Sequence, residues 1–399
     1  MQRTQSETLT FSFASFSPKT EFIFTSEHRS LMASGINQTI IQPAIDGDDN
    51  NSLFQRAIQR AFLLEKQKGI NNPIIIGSIP FDVNQPSCLY VPTAFKFIDR
   101  HAFQHATPTI SFTPPAVEVL SARSVPNEHS FKSAVAQVVE KFQSTSLEKA
   151  VLSRVLNLEL DGNISPEYVL RRLMAQNPTG YHFSIPQADG SILLGASPEL
   201  LIRKQGQQLS SNPLAGSAKR QQTEADELRV SQALLASTKD RYEHRLVIDE
   251  IQRLLAPHCV ELHVPDDPLL INTPAMWHLS TKISGTLKSP STSALQLACL
   301  LHPTPAVCGF PFDLSRCAIN ELESFERGMF SGMVGWCDAE GNGEWAVTIR
   351  CGKVLNNTVS LFAGAGIVDA SCPQSEWAET EAKLGTMLNA FGLKSKESA

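Results

Sequence analysis

The stretch from Gly341 to Phe391 restricts the fold more than any other part of this sequence. Its first two pieces, GNGEWAVTIRCGKV and TVSLFAGAGIV, alternate apolar and polar residues and are rich in Val and Ile, with Asn356-Asn357 between them. That pattern predicts an antiparallel hairpin. The second strand runs into Gly364-Ala365-Gly366, read as a turn where backbone approaches a ligand closely. The third piece, SEWAETEAKLGTMLNAF, predicts a helix. At about 100° per residue, Trp377, Thr380, Leu384, Met387, Leu388 and Phe391 share one stripe. Glu376, Glu379 and Lys383 cluster on its flank. One reading is a surface carboxylate–lysine pair at i,i+4 spacing. The other is two carboxylates and an ammonium at a core edge, facing the glycines and Arg350, which suits a divalent cation plus an anionic substrate.

A second helical pattern, Thr223–Leu255, carries the strongest physical anomaly. Leu246, Val247, Ile251 and Leu254 form its apolar side, and Asp240 and Glu243 project into that arc. Charges on a buried stripe are costly unless paired or bound to a metal. Two further charged residues sit in apolar company. Lys149 sits at the mouth of the predicted strand Leu147–Val155, either solvated or desolvated with a depressed pKa that lets it act as a base. Glu199 interrupts the apolar run Ser191–Arg203 just after Pro198, either as a surface bulge residue or as a buried acid with a raised pKa.

The remaining pattern is mixed. Strands are predicted at Phe11–Phe16, Glu21–Thr25, Pro73–Ile79, Trp277–Gly285 and Gly332–Trp336. Helices are predicted at Ser52–Glu65, from Asn127 or Ser130 to Phe142, at Leu295–Leu301 and at Glu321–Phe330. Thr107–Pro126, with four prolines, reads as a linker, Pro213–Ser217 as a tight turn and Gly309–Ala318 as an irregular loop. His278 alone reads as a hydrogen-bonded core histidine. No Walker A loop, G-x-G-x-x-G motif or G-x-S-x-G elbow is present.

With 19% charged residues and a net charge of −6, the 399-residue chain has no basic excess, so neither nucleic acid nor an anionic membrane is an expected partner. No apolar run reaches the roughly 18 residues of a membrane span, and the first residues lack a hydrophobic signal core, so a cytoplasmic location is expected. Eight cysteines without C-x-x-C spacing read as reduced thiols.

Eight stretches, in order, resemble the chorismate-utilising enzymes: Lys149-Ala-Val-Leu-Ser-Arg154, Gly195-Ala-Ser-Pro-Glu-Leu200, Pro213-Leu-Ala-Gly-Ser217, Lys239-Asp-Arg-Tyr-Glu-His244, His302-Pro-Thr-Pro-Ala306, Thr348-Ile-Arg350, Gly364-Ala-Gly366 and Glu376 through Lys383. Phe22 through Ser30 and Gly77 through Asp82 further resemble the isochorismate synthase branch of catecholate siderophore pathways. The resemblance implies an α+β fold like the anthranilate synthase large subunit, with large antiparallel sheets in a two-sheet core and helices outside. Residues 1–126 would be an N-terminal portion of the same compact fold, and 127–392 the chorismate-binding region.

The resemblance also implies roles. Lys149 is the base that activates water for attack at C2 of chorismate, and Glu199 the acid that protonates the departing C4 hydroxyl. Glu243 and Glu379 hold magnesium. Arg350 and Lys383 grip carboxylates, while Gly216, Ser217, Ala306, Phe330 and Gly364 line the pocket. Asp240, His278 and Glu376 stand behind them. The chemistry requires Lys149 to lose its proton and Glu199 to keep one. Ala215 stands where aminodeoxychorismate synthases carry a nucleophilic lysine, and Lys149 where anthranilate synthases lack one. Isochorismate synthase activity without a glutaminase subunit, as a monomer, is therefore expected. Salicylate synthase and the menaquinone-pathway isochorismate synthase are the alternatives.

Overall fold

The structure, a computed structural model, describes residues 16–99 and 117–393. In chain order the elements are β1 (Glu21–Thr25), β2 (Ser30–Ser34), β3 (Gln38–Ile40), α1 (Leu53–Gln67), β4 (Ile74–Ile79), β5 (Cys88–Val91), β6 (Ala94–Ile98), β7 (Val119–Val125), α2 (Glu128–Ser144), β8 (Lys149–Leu160), α3 (Pro166–Gln176), β9 (Tyr181–Pro186), β10 (Ile192–Ser197), β11 (Leu200–Gln205), β12 (Gln208–Asn212), β13 (Leu214–Lys219), α4 (Glu224–Ala236), α5 (Thr238–Leu255), β14 (Cys259–His263), β15 (Leu269–Asn272), β16 (Met276–Ser280), β17 (Ile283–Leu287), α6 (Ala294–Leu301), β18 (Gly309–Phe310), α7 (Phe312–Leu322), β19 (Met333–Asp338), β20 (Gly343–Val347), β21 (Cys351–Leu355), β22 (Thr358–Ile367) and α8 (Pro373–Phe391).

Two large antiparallel sheets carry the molecule. One is ordered β18-β8-β22-β21-β10-β9-β1-β2-β6, with β7 also on β8. The other is ordered β14-β17-β12-β11-β20-β19-β4-β5-β3. A small sheet, β13-β16-β15, stands beside them. The period-two geometry of a strand explains the layering. In β4, Ile74 and Ile76 pack with Phe22, Phe24, Phe183 and Leu193 of the first sheet. Ile75 and Ile79 face the other way, onto Phe54 and Ile58 of α1 and onto residues of α5 and α6. In β10, Leu193 points between the sheets while Ile192 and Leu194 pack with α3 and α8. The result is helix, sheet, sheet, helix, with strands buried on both faces, hence the almost fully apolar run at Pro73–Ile79. Ser52 and Asn127 cap α1 and α2 by accepting the N–H groups of Gln55 and Ser130.

The alternation at Phe11–Phe16 lies outside the described residues except for Phe16. Elsewhere several expectations are corrected. Of the stretch read as a linker, Val119–Val125 is β7, paired along β8. Pro213–Ser217 leads into β13 and is not a turn. The long pattern Thr223–Leu255 divides at Ser237, whose extended backbone ends α4 and whose hydroxyl caps α5 through the Asp240 N–H. Trp277–Gly285 divides into β16 and β17, which join different sheets. Gly309–Ala318 is ordered as β18 and α7, and the helix ends at Leu322 instead of reaching Phe330. Among the described residues no helix is long and apolar enough to cross a membrane.

Most important for the site, two apparently continuous strands are each broken between sheets. The run Ser191–Arg203 leaves the first sheet after β10 and enters the second as β11. Gly341–Val354 returns from β20 to β21. The crossings run side by side. The Val347 N–H donates to the Glu199 carbonyl (3.2 Å) and the Ala196 N–H to the Arg350 carbonyl (3.0 Å).

Glu344, in β20, is a buried acid away from those crossings. Its Oε2 accepts from Ser26 Oγ at 2.7 Å, and burial pushes its carboxyl up to about 7. The folded chain keeps this proton where the unfolded chain releases it, so this group's contribution to stability is lost as pH rises from 4.5 to about 7. Glu344→Gln removes that titration. Its Tm relative to the parent should climb across that interval and be level on either side, and a pH-independent difference in thermal melts would contradict the assignment.

Candidate active site

Glu199 lies at the outward crossing and Arg350 at the return crossing, which brings an acid and a cation to one seam. Arg350 reaches it with φ at +50°, a left-handed conformation uncommon outside glycine that the two flanking sheets hold in place. A cleft with ≈ 630 Å³ of empty space opens there. It is bordered by Glu199, Gly216, Ser217, Glu243, His278, Ala306, Phe330, Arg350, Gly364, Glu379 and Lys383, eleven of the residues singled out from the sequence. Asp240, Glu376 and Lys149 stand behind this lining.

Each wall has a local cause. α5 presents Glu243 because the burial that places Val247, Ile248 and Ile251 in the core also turns position 243 inward. α8 presents Glu376 and Glu379 by the same logic; Glu376 and Thr380 are buried with Leu384 and Met387. From β22, Phe362, Gly364 and Gly366 face the cleft at every second residue. The glycines are therefore strand positions and not a turn, which corrects the sequence reading. A Cβ on Gly366 would lie 2.1 Å from Glu243 Oε1 and 3.1 Å from Lys149 Cε, so only glycine leaves room for that pair. Gly216, at φ +77°, lets β13 pass close to Asp240.

Lys149 is 0% exposed, and its Nζ sits 3.0 Å from Glu243 Oε1. A buried, unpaired charge costs several kcal/mol, so this partner is what the fold requires of the position. On the opposite helix Lys383 Nζ lies 2.5 Å from Glu379 Oε1 and donates to the Gly364 carbonyl at 2.9 Å. Lys239 Nζ bonds Glu376 at 2.8 Å. Burial pushes Glu199 up to about 7 against the pull of the Leu214 N–H, Lys149, Arg350 and Lys383. Burial likewise raises Glu376 to about 7, with the charge of Glu379 adding to it, and raises Asp240, with Glu243 and Glu379 adding. Burial also raises Glu379, but Lys383, the Ser217 hydroxyl and Lys239 together more than offset this and leave it below the ordinary value. His278 is driven well below its ordinary pKa by burial and then by Arg350 and Lys383, so it is neutral and accepts from Arg350 Nη2 at 3.4 Å. Burial brings Arg350 down to about 10.

Glu243 and Glu379 present hard carboxylate oxygens to the cleft, each beside one lysine. Among the described residues no three metal-ligating side chains converge into a cage. Two glutamates plus water and substrate oxygens is the donor set magnesium favours, so the residues present fit that ion. Sequence reasoning missed Val151, Ser331, Ile349 and Phe362 in the lining. Phe362 was within reach, since strand alternation puts it on the face of Gly364 and Gly366. It stacks on Phe330 with ring centroids 5.1 Å apart. Gly366→Ala should leave the fold intact while displacing Glu243 and Lys149. Turnover should fall by roughly 10²-fold in steady-state assays, and retention of parental activity would contradict this geometry.

Residues 92–392 match the family model described as chorismate binding enzyme. Isochorismate synthase EntC of Escherichia coli K12 is 47% identical over 372 residues, covering 93% of this chain and 95% of that protein. A Bacillus anthracis structure assigned as a 2,3-dihydroxybenzoate-specific isochorismate synthase, DhbC, superposes with a TM-score of 0.88 at 39% identity, covering 96% of this chain and 98% of the other. Anthranilate synthase component I of Streptococcus pneumoniae shares the fold at 22% identity and a TM-score of 0.63, over 78% of this chain and 80% of its own. With its cleft residues, its two-sheet architecture and this span of similarity, the chain belongs to the chorismate-binding enzyme family.

Proposed function

We propose that the chain is an isochorismate synthase, which adds water at ring C2 of chorismate and expels the C4 hydroxyl, reversibly. The observation that carries this reading is Glu199, a buried carboxyl held up to about 7 on a cleft that also presents Arg350 and Lys383. Hydroxide is a poor leaving group, so the departing oxygen needs a proton, and a neutral Glu199 supplies it. Lys149, on the strand that forms the wall beside Gly366, is the base for the incoming water. Arg350 and Lys383 hold the carboxylates of the dianionic substrate. Neutral His278 orients Arg350 without adding charge. Phe330, Ala306, Gly216, Ser217 and Gly364 shape the ring pocket, while the Lys239–Glu376 bond, with Asp240 beside it, ties the helix of Glu243 to the helix of Glu379.

Magnesium would be held by Glu243 and Glu379, and when bound it supplies a hard cation that offsets the substrate's charge. Water as nucleophile removes any need for an ammonia-supplying subunit, and we take the chain to act alone, as a monomer in the cytoplasm. Ala215 leaves no amine to attack the ring at that position. The likeness to a 2,3-dihydroxybenzoate-specific relative supports a product destined for catechol synthesis, as in siderophores.

Purified chain with chorismate and magnesium should yield isochorismate in equilibrium with chorismate by chromatographic product analysis. Accumulation of salicylate and pyruvate would place the chain in the other branch. Lys149→Ala and Glu199→Ala should each lose at least roughly 10²-fold in kcat while still binding chorismate, and full activity in either variant removes that residue from the mechanism.

A further inference from the structure

The strand that carries Lys149 has an incompletely paired edge. On one side β22 covers it continuously, from Ile367 opposite Ala150 to Thr358 opposite Glu159. On the other side β18 pairs with Lys149 and Ala150, and β7 pairs from Val155 onward. The Val151 N–H still reaches the Cys308 carbonyl. Between these two strands the Val151 carbonyl and Ser153 N–H have no strand partner.

Two side chains fill the gap. Arg327 Nη2 donates to the Val151 carbonyl at 2.7 Å, and Glu323 Oε1 accepts from the Ser153 N–H at 2.7 Å. Arg327 Nε donates to Glu323 Oε2 at 2.8 Å, and the two side chains are 3% and 4% exposed. Arg327 Nη1 donates to the Val307 carbonyl at 2.7 Å. The Arg327 carbonyl accepts from the Phe330 N–H at 3.0 Å, and Phe81 lies under the guanidinium at 4.3 Å. Val151, Val307 and Phe330 all border the cleft. One planar fork thus joins the strand of Lys149, the Ala306–Val307 wall and the turn that carries Phe330.

We propose that the buried Glu323–Arg327 pair is a positioning device for the active site, completing the β8 edge as a further strand would and fixing the cleft walls relative to Lys149. This inference rests on the isochorismate synthase reading. Neither residue borders the cleft, so the pair acts through the backbone it holds. The grip on substrate by Arg350 and Lys383 comes from other elements. Loosening the pair therefore moves the base and the ring wall while leaving binding in place. Lysine keeps the charge at position 327 but lacks the planar fork that reaches two carbonyls and a carboxylate together.

The test uses the full chain with magnesium and chorismate. Arg327→Lys and Glu323→Asp both retain the buried charge pair. Arg316→Lys serves as control, because Arg316 pairs with Asp82 at 2.8 Å on the same side of the molecule. In both variants kcat should fall by about tenfold or more, with chorismate Kd within about threefold by calorimetry and one site per chain retained. Hydrogen exchange at the Ser153 amide should accelerate in Glu323→Asp, and the control should match the parent. A smaller fall in kcat, or a fall that merely tracks lost binding sites, overturns the proposal. If the parent chain makes no isochorismate, the functional assignment fails instead. Exchange at Ser153 then still decides the clamp, and unchanged protection in Glu323→Asp overturns it.

Discussion

Two backbone hydrogen bonds between the crossing segments organise this molecule: Val347 N–H to Glu199 and Ala196 N–H to Arg350. They zip the outward and return passages between the sheets into one seam. A chain that simply continued its strands would bury Glu199 within a sheet face or expose it to water. Crossing at Pro198 and again at Arg350 places both side chains in the space between layers, where the sheets exclude solvent without filling the volume. Proline has no N–H to lose at the first crossing, and the left-handed backbone of Arg350 turns the chain at the second. The small sheet and the helices α5 and α8 then close the cleft with opposite charges.

Charge balance in the seam explains why so many ionisable groups survive burial. Lys149 is matched by Glu243, Lys383 by Glu379 and Lys239 by Glu376. Asp240 and Glu199 are left without an ammonium of their own, and both are raised. Asp240 stands within the field of Glu243 and Glu379, where a divalent cation would belong. Glu199 stands across the cleft beside Arg350. A raised carboxyl does not by itself mark chemistry: Glu344 reaches about the same value in a structural setting against Ser26 and Arg203. What distinguishes Glu199 is the open space it borders and the cations that share it.

Much of this was legible in the sequence, and the gaps have physical causes. The amphipathic pattern from Ser52, the candidate cap at Asn127 and the apolar run at Pro73–Ile79 announced their elements because they depend on local geometry. The inward Glu243 was visible as a charge on an apolar arc. Its role, like those of Lys149 and Arg350, came from resemblance to a family and not from periodicity. Alternation could not reveal that Ser191–Arg203 and Gly341–Val354 each serve two sheets, because period two records which faces are buried and not which neighbours pair. Glu323 and Arg327 gave no signal, since an i,i+4 acid–base pair looks the same on a solvated helix as across an unfilled strand edge. The glycines of β22 were noticed but misassigned: a missing Cβ makes room for a side chain here, where the sequence suggested a turn.

At the centre of this account is one carboxyl that the seam keeps protonated near neutrality, ready to release a hydroxyl from the ring. The pH dependence of kcat/KM for chorismate reads that proton in the free enzyme. On the alkaline side the account predicts a decline of about tenfold per pH unit above about 7, as Glu199 loses its proton. A rate constant that stays level up to about pH 9 would mean that Glu199 is not the proton donor.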